Sequence, residues 1–216
     1  RPVIAWHRIF FSFMLWGSVT VAMILLSYLL NPEMLLWNFN MEKFLVLAII
    51  VIVMIPIQTS FEEYLFRGDL LQWVGVLSKN KWIPLVLSSM LFGLVHFANP
   101  EVEKLGSLIM IYYIGTGLFL GIITLMDEGL ELALGFHAAN NVFTALLVTA
   151  DWTAFQTDSL FKDISEPEIG FDVFLPIFIL YPIVLIIFWK KYNWSNWKEK
   201  LLGEVHKPAE LKDEDL

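Results

Sequence analysis

The stretch FLVLAIIVIVMIPIQTSFEEYLFRG, residues 44–68, joins an apolar run to two glutamates and an arginine, with Pro56 as the strongest breaker between them. A helix that crosses a membrane needs about 20 mostly apolar residues, and this stretch begins one. An ionisable side chain in the membrane costs about 2.5–3.5 kcal/mol on insertion scales, so it usually faces a bundle interior and has a partner or a function. The stretch therefore predicts a membrane helix that carries a buried polar site.

The whole chain has the composition of a polytopic membrane protein. Of its 216 residues, 57% are hydrophobic and 15% aromatic, and its mean hydropathy is +0.66, unlike a soluble domain. Six apolar segments predict helices: residues 9–30, 44–57, 83–97, 105–126, 130–150 and 171–189. We therefore predict an all-α fold, a polytopic transmembrane helical bundle of about six spans.

The second apolar segment continues over residues 44–77 with Pro56 as its strongest breaker. A straight helix of that length would rise about 50 Å, so it must kink, tilt or divide. Proline removes a backbone donor, and the polar residues after it favour a new helix start. We predict a break at residues 56–60, with both glutamates in the first turn of the next helix. If residues 61–77 cross separately, the bundle has seven spans.

Most lysines and arginines lie on one side of the six predicted spans, and the opposite loops contain only Lys43, Lys104 and Lys162. Because cytoplasmic loops carry the excess of these residues, both termini are predicted to be cytoplasmic. We expect an integral protein of the plasma or inner membrane, whose polar residues converge in one cavity open to the cytoplasmic side.

One domain, a transmembrane catalytic bundle, is predicted for residues 1–205, and residues 206–216 are predicted to be an acidic, solvent-exposed tail. Cysteine is absent, which excludes disulfides, thiol catalysis and zinc–thiolate sites. The expected partners are membrane lipid, a peptide or protein substrate and a second membrane protein. We expect no nucleic acid partner.

Glu63 and Arg67 are four residues apart, in the order that favours a salt bridge along one helix face. Glu62 projects about 100° away from Glu63 and is left for another role. The alternative is that both glutamates cap a helix start, where the helix dipole favours anions.

Two histidines and an asparagine lie in other apolar spans. His96 is near the end of the third span, and His137 and Asn141 are one turn apart on the fifth. Such residues can act simply as interhelical hydrogen-bond partners. With Glu62, however, they could hydrolyse an amide, because a carboxylate and an imidazole can deprotonate a shared water, and a histidine N–H with an asparagine NH₂ can stabilise the oxyanion.

The same residues could instead bind zinc. Glu62, His96 and His137 are a common catalytic zinc set that leaves a position open for water. The HExxH motif is absent, since neither histidine is followed by the glutamate that this motif requires.

The segments FEEYLFRG, FGLVH and HAANN, in this order, resemble the three motifs of the CPBP intramembrane protease family, the CAAX-protease and bacteriocin-processing (Abi) group. The family pattern reads EExxxR, FxxxH and HxxxN or HxxxD, and the resemblance covers residues 56–148, the motif core. It implies that Glu62 and His96 activate water and that His137 and Asn141 form the oxyanion hole. The supporting residues that it implies are Glu63, Arg67 and Phe92.

We therefore predict an intramembrane endopeptidase that hydrolyses a peptide bond of a membrane-associated or lipidated peptide by glutamate- and histidine-activated water. No metal or cofactor is predicted, and zinc is the alternative. The alternative function is a non-catalytic membrane subunit, scaffold or bacteriocin self-immunity protein that retains the protease fold. A transporter is disfavoured because no paired repeat halves are visible.

Overall fold

The computed structural model describes residues 3–205, so the predicted acidic tail at 206–216 lies outside the described residues. It confirms the predicted helical bundle. The helices are α1 Trp6–Leu30, α2 Met41–Glu63, α3 Leu71–Ser78, α4 Trp82–Val95, α5 Pro100–Leu105, α6 Met110–Asp127, α7 Glu131–Leu147, α8 Phe171–Leu175, α9 Tyr181–Tyr192 and α10 Trp197–Leu202. Two π-helical segments, Tyr64–Leu70 and Pro176–Leu180, join α2 to α3 and α8 to α9, and a 3₁₀ turn, Ser107–Ile109, precedes α6.

The six predicted apolar segments are helical over most of their length. Four helical segments in residues 3–205 are long and apolar enough to cross a membrane: Trp6–Leu30, Met41–Ser78, Ser107–Asp127 and Val173–Tyr192. The third and fifth predicted spans form shorter helices, α4 with 14 residues and α7 with 17.

The helix that begins at Met41 corrects two expectations. It runs through Pro56 without a break and continues to Ser78, so the predicted division at residues 56–60 and the seven-span alternative are both wrong. Membrane helices tolerate proline because neighbouring groups compensate for the lost hydrogen bond. Glu62 and Glu63 therefore lie inside a continuous helix, which also rules out the alternative that they cap a helix start.

The irregularity of this helix follows the glutamates instead of preceding them. Residues Tyr64–Leu70 are π-helical, and the Leu71 N–H donates to the carbonyl of Phe66, five residues earlier. Such π-helical turns widen a helix locally and are frequent at functional sites. Arg67 lies inside this wider turn.

Helix α7 is the centre of the bundle and packs against α1, α2 and α6. Leu132 and Phe136 are fully buried. The Ser12 hydroxyl of α1 donates to the Leu132 carbonyl at 2.7 Å, and Gly135 lies directly against the backbone carbonyl of Ile9. A glycine at this contact lets α1 approach α7 closely, as small residues do in membrane helix pairs.

The two ends of the bundle differ in their chemistry. At one end, called the basic end, Arg8 of α1 forms an ion pair with Asp127 of α6. The Trp194 indole N–H donates to the same carboxylate at 3.0 Å, and Lys200 of α10 donates to the Met126 carbonyl at 3.0 Å. These bonds fix both ends of the described chain to the end of α6.

The opposite end, called the loop end, carries a small sheet that the sequence did not predict. Strand β1, Leu35–Trp37, pairs antiparallel with β3, Phe161–Asp163, with Leu35 opposite Asp163. Strand β2, Val148–Thr149, pairs parallel with β3, which gives the order β1-β3-β2. The sheet connects the loop after α1 to the loop after α7, and α5 lies at the same end of the bundle because it follows α4.

We predict that Gly135→Ala destabilises the bundle. An added Cβ would collide with the Ile9 carbonyl oxygen, and overpacking of a tight contact costs about 1–3 kcal/mol. Gly75→Ala is the matched control, because a Cβ there meets Val205 at an ordinary 3.6 Å. Thermal unfolding in detergent should show a loss of stability for Gly135→Ala alone. Equal stability of the two variants would show that α1 and α7 do not approach this closely.

Candidate active site

A buried ion pair lies at the centre of the site. The side chains of Glu63 and Arg67 are both fully buried, and Arg67 Nη1 lies 3.1 Å from Glu63 Oε1. Arg67 Nη2 donates to the Gly117 carbonyl of α6 at 3.0 Å. The pair that the i,i+4 spacing predicts is therefore present, and it also connects α2 to α6.

His137 of α7 binds the same carboxylate oxygen. Its Nδ1 lies 2.7 Å from Glu63 Oε1. A carboxylate can only accept, so Nδ1 carries a proton, and the second ring nitrogen, Nε2, is free for chemistry. Nε2 lies 3.8 Å from Glu62 Oε2. Such a carboxylate–histidine pair fixes the ring orientation and the tautomer.

Glu62 is held by one oxygen only. Gln58, one turn earlier on α2, donates its side-chain N–H to Glu62 Oε1. The other oxygen, Oε2, is buried and has no hydrogen-bond partner among the described residues. Because buried carboxylate oxygens are nearly always satisfied by protein or water, Oε2 is the atom that is suited to bind a water or a substrate group. Sequence reasoning missed Gln58, although its i−4 spacing from Glu62 was visible.

Phe92 of α4 links the ion pair to both histidines. Its ring centroid is 4.8 Å from that of His96 and 5.7 Å from that of His137, and the Arg67 guanidinium carbon lies 4.4 Å from the centroid of Phe92. The Phe92 carbonyl accepts from His96 Nδ1 at 2.7 Å, which leaves His96 Nε2 as an acceptor. His96 also stacks on Tyr113, with centroids 4.6 Å apart.

A chain of hydrogen bonds orients Asn141. The Trp16 indole N–H donates to Asn140 Oδ1 at 3.0 Å, so the amide nitrogen of Asn140 faces the other way. That nitrogen donates to Asn141 Oδ1 at 3.1 Å. Because its oxygen is occupied, Asn141 is left with its NH₂ group as a donor. The pair of adjacent asparagines was visible in the sequence, but the role of Trp16 was not.

These side chains converge on one cavity of about 430 Å³. It is lined by all four predicted catalytic residues, Glu62, His96, His137 and Asn141, while Glu63 and Arg67 lie buried behind it. A larger cavity of about 560 Å³ at the basic end includes Arg67, but none of the four catalytic candidates lines it.

The position of the 430 Å³ cavity corrects the predicted access. Asn99, Glu101, Ala154 and Phe155, all at the loop end, line it, whereas both ends of the described chain lie at the basic end. Cytoplasmic termini and a cavity open to the cytoplasm therefore cannot both be right. These loop residues lie outside the three motifs, so their position at the cavity could not be predicted from the sequence.

The donor chemistry of the site would suit zinc, since Glu62 and the two Nε2 atoms are typical zinc ligands. Within residues 3–205, however, no group of three His, Cys, Asp or Glu side chains is arranged so that it could hold a metal ion.

Residues 41–143 match the family model described as type II CAAX prenyl endopeptidase Rce1-like. This range includes every motif position described above. The chain therefore resembles the CPBP family over slightly less than half of its length. It is also similar to the uncharacterized protein YyaK of Bacillus subtilis (strain 168), with 36% identity over 145 residues, which cover 67% of this chain and 48% of that protein. The chain thus spans about half the length of this curated relative. No solved structure matches it significantly.

The three CPBP motifs have different places in the geometry. The first supplies Glu62 to the cavity and the ion pair behind it, the second supplies His96 and its support Phe92, and the third supplies His137 and Asn141. The motifs therefore combine residues that line the cavity with residues that hold them in position.

We predict that Arg67→Ala lowers the stability of the protein by about 3–5 kcal/mol, because the substitution strands the buried charge of Glu63. Folded yield and thermal unfolding in detergent measure the loss. Asp69→Ala, at an exposed position of the same π-helical segment, is the control and should unfold like the wild type. Wild-type stability of Arg67→Ala would mean that the ion pair is not buried in the folded protein.

Proposed function

We propose that the chain is an intramembrane endopeptidase that hydrolyses a peptide bond of a membrane-associated peptide with water activated by Glu62. The observation that carries this proposal is the unpartnered carboxylate oxygen of Glu62, 3.8 Å from His137 Nε2, at the wall of a cavity shared with His96 and Asn141. The family match supports the same class of enzyme.

In the proposed reaction, Glu62 Oε2 takes a proton from water while the water oxygen attacks the carbonyl carbon of the substrate. His96 Nε2, a lone-pair acceptor, holds the second hydrogen of that water. The tetrahedral intermediate then collapses, the C–N bond breaks, and Glu62 returns its proton to the leaving amine. The products are a carboxylic acid and an amine, which share the remaining proton as a carboxylate and an ammonium ion, and Glu62 is regenerated.

The oxyanion of this intermediate requires donors. Asn141 supplies its NH₂ group, which the Trp16–Asn140 chain leaves unoccupied. His137 can donate from Nε2 only as an imidazolium, because Nδ1 already donates its proton to Glu63. The proposal therefore requires His137 to be doubly protonated during attack, with Glu63 as the counter-ion of the cation.

We infer the membrane orientation from the rule that loops rich in lysine and arginine face the cytoplasm. On that rule the basic end, with Arg8, Lys81 and Lys200, faces the cytoplasm, and both termini are cytoplasmic. The loop end and its cavity then face the opposite side of a plasma or inner membrane. Substrates would reach the active site from that side.

We predict that Glu62→Gln, His96→Ala and His137→Ala each abolish cleavage of a membrane-associated peptide by the purified protein. Glu62→Gln keeps the size and the hydrogen bonding of the side chain but removes the base. The triple variant should be little worse than the single ones, because residues that act as a unit are not additive. Glu42→Gln, at an exposed position of the same helix, is the matched control and should cleave normally.

Three outcomes would change the proposed function. Full activity of Glu62→Gln would remove Glu62 from the chemistry. If a chelator inhibited the protein and zinc restored activity, the same residues would be metal ligands. The mechanism would then be different, but the enzyme class would stay the same. If the wild type cleaves neither prenylated nor unmodified peptides but co-purifies with a fixed partner, the scaffold or immunity alternative becomes the better account.

We predict that Asn140→Asp lowers kcat by about 10²–10³, as does Asn141→Ala, which loses one oxyanion donor. A carboxylate at 140 still accepts from Trp16, but it has no N–H for Asn141. The Asn141 amide should then turn its NH₂ towards residue 140 and its oxygen towards the cavity. KM should change little, and the double variant should resemble Asn141→Ala alone. This positioning role of Asn140 would be contradicted if the kcat losses of the two single variants multiplied in the double variant. It would also be contradicted if Asn140→Asp lowered only the thermal stability.

A further inference from the structure

The cavity of the proposed active site is lined by two acidic residues, Glu62 and Glu101, and by the two histidines His96 and His137. None of its described lining residues is a lysine or an arginine. Glu62 has a role in the proposed reaction. Glu101 has none, and neither of the family motifs that flank it in the sequence includes it.

Glu101 lies in the first turn of α5 at the loop end. Its Oε1 accepts the Ala154 backbone N–H at 2.8 Å, which joins α5 to the loop after β2. Its Oε2 is buried and has no hydrogen-bond donor among the described residues. The contact between α5 and this loop uses only Oε1, so Oε2 is available to a ligand.

Lys104, one turn after Glu101 on α5, does not line the cavity, and other polar groups at the loop end are engaged elsewhere. Two lysines at the loop end pair with other acids: Lys162 with Asp151 at 2.8 Å and Lys43 with Asp158 at 3.5 Å. The Asn99 side-chain N–H donates to the Tyr113 hydroxyl at 3.3 Å. Because a buried carboxylate oxygen without a donor is costly, a cation entering the cavity would satisfy Glu101.

Two further features favour a cation. The loop-end segments at residues 31–43, 99–106 and 150–172 contain ten acidic residues and three lysines, and a cleft lined by one sign of charge concentrates the opposite sign. Tyr112, Tyr113 and Phe155 line the same cavity, and aromatic faces bind ammonium and guanidinium groups.

We propose that Glu101 recognises the substrate and that the cleaved peptide carries a lysine or arginine whose cation pairs with Glu101. This inference rests on the proposed peptidase function and deepens it. A sphere of 430 Å³ is about 9 Å across, which an extended peptide spans in about three residues. The basic residue therefore lies within about three residues of the cut bond.

The test uses the purified full chain and membrane-associated peptides that differ at one position only, with lysine, glutamine or glutamate within three residues of the cut bond. The wild type should cleave the lysine peptide with a kcat/KM about 10- to 100-fold above that of the glutamine peptide, as expected for a hydrogen bond to a charged group. The glutamate peptide should be the poorest substrate.

Glu101→Gln isolates the charge, because its side-chain oxygen can still accept from Ala154. The ratio between the lysine and glutamine peptides should fall towards one in this variant. Glu103→Gln, an exposed position on the same short helix, is the matched control and should keep the wild-type ratio. Glu101→Lys should reverse the preference and favour the glutamate peptide.

The outcomes separate this inference from the function on which it rests. Cleavage without charge preference at any position near the cut, or a preference that Glu101→Gln retains, would overturn the role of Glu101 and leave the peptidase standing. Failure of the wild type to cleave any peptide in the set would overturn the peptidase proposal and this inference with it. The wild-type ratio needs no variant, so a folding defect of Glu101→Gln cannot hide the answer.

Discussion

One buried carboxylate oxygen, shared by an arginine and a histidine, is the constraint on which the rest of this site depends. Glu63 Oε1 accepts from Arg67 within its own helix and from His137 across the bundle, and Arg67 continues to the Gly117 carbonyl. These bonds join α2, α6 and α7. A buried ion pair is weak evidence for stability, since apolar residues of similar volume often serve as well. Its value here is that it fixes the ring of His137.

Two features enclose the buried ion pair: the wide π-helical turn between α2 and α3, and the ring of Phe92. Arg67 lies in that turn with its side chain fully buried, while Phe92 contacts its guanidinium group and both histidines of the cavity. The ionised residues are therefore enclosed on the side away from the cavity. Glu62, one residue before Glu63, is held by Gln58 alone and keeps one oxygen free.

The sequence predicted the features that depend on neighbouring residues. It did not predict the features that depend on contacts between segments far apart in the chain. The Glu63–Arg67 pair follows from i,i+4 spacing, and the apolar runs predict the helices. The break at Pro56 was wrong because a rule for isolated helices was applied inside a membrane bundle, where a single lost hydrogen bond is tolerated. The strands of two or three residues, the Trp16–Asn140 contact and the bond from Ala154 to Glu101 join segments that are far apart in the chain, and no local pattern indicates them.

We infer that the Glu63–Arg67 pair serves the geometry of the candidate active site and not the stability of the bundle. The most direct measurement is a double-mutant cycle with Glu63→Gln and Arg67→Met, read by thermal unfolding and by peptide turnover in the same preparations. The double variant strands no charge, so it should regain most of the stability that Arg67→Met alone loses, yet it should remain inactive because His137 has lost its carboxylate. A double variant that turns over peptide like the wild type would contradict the claim.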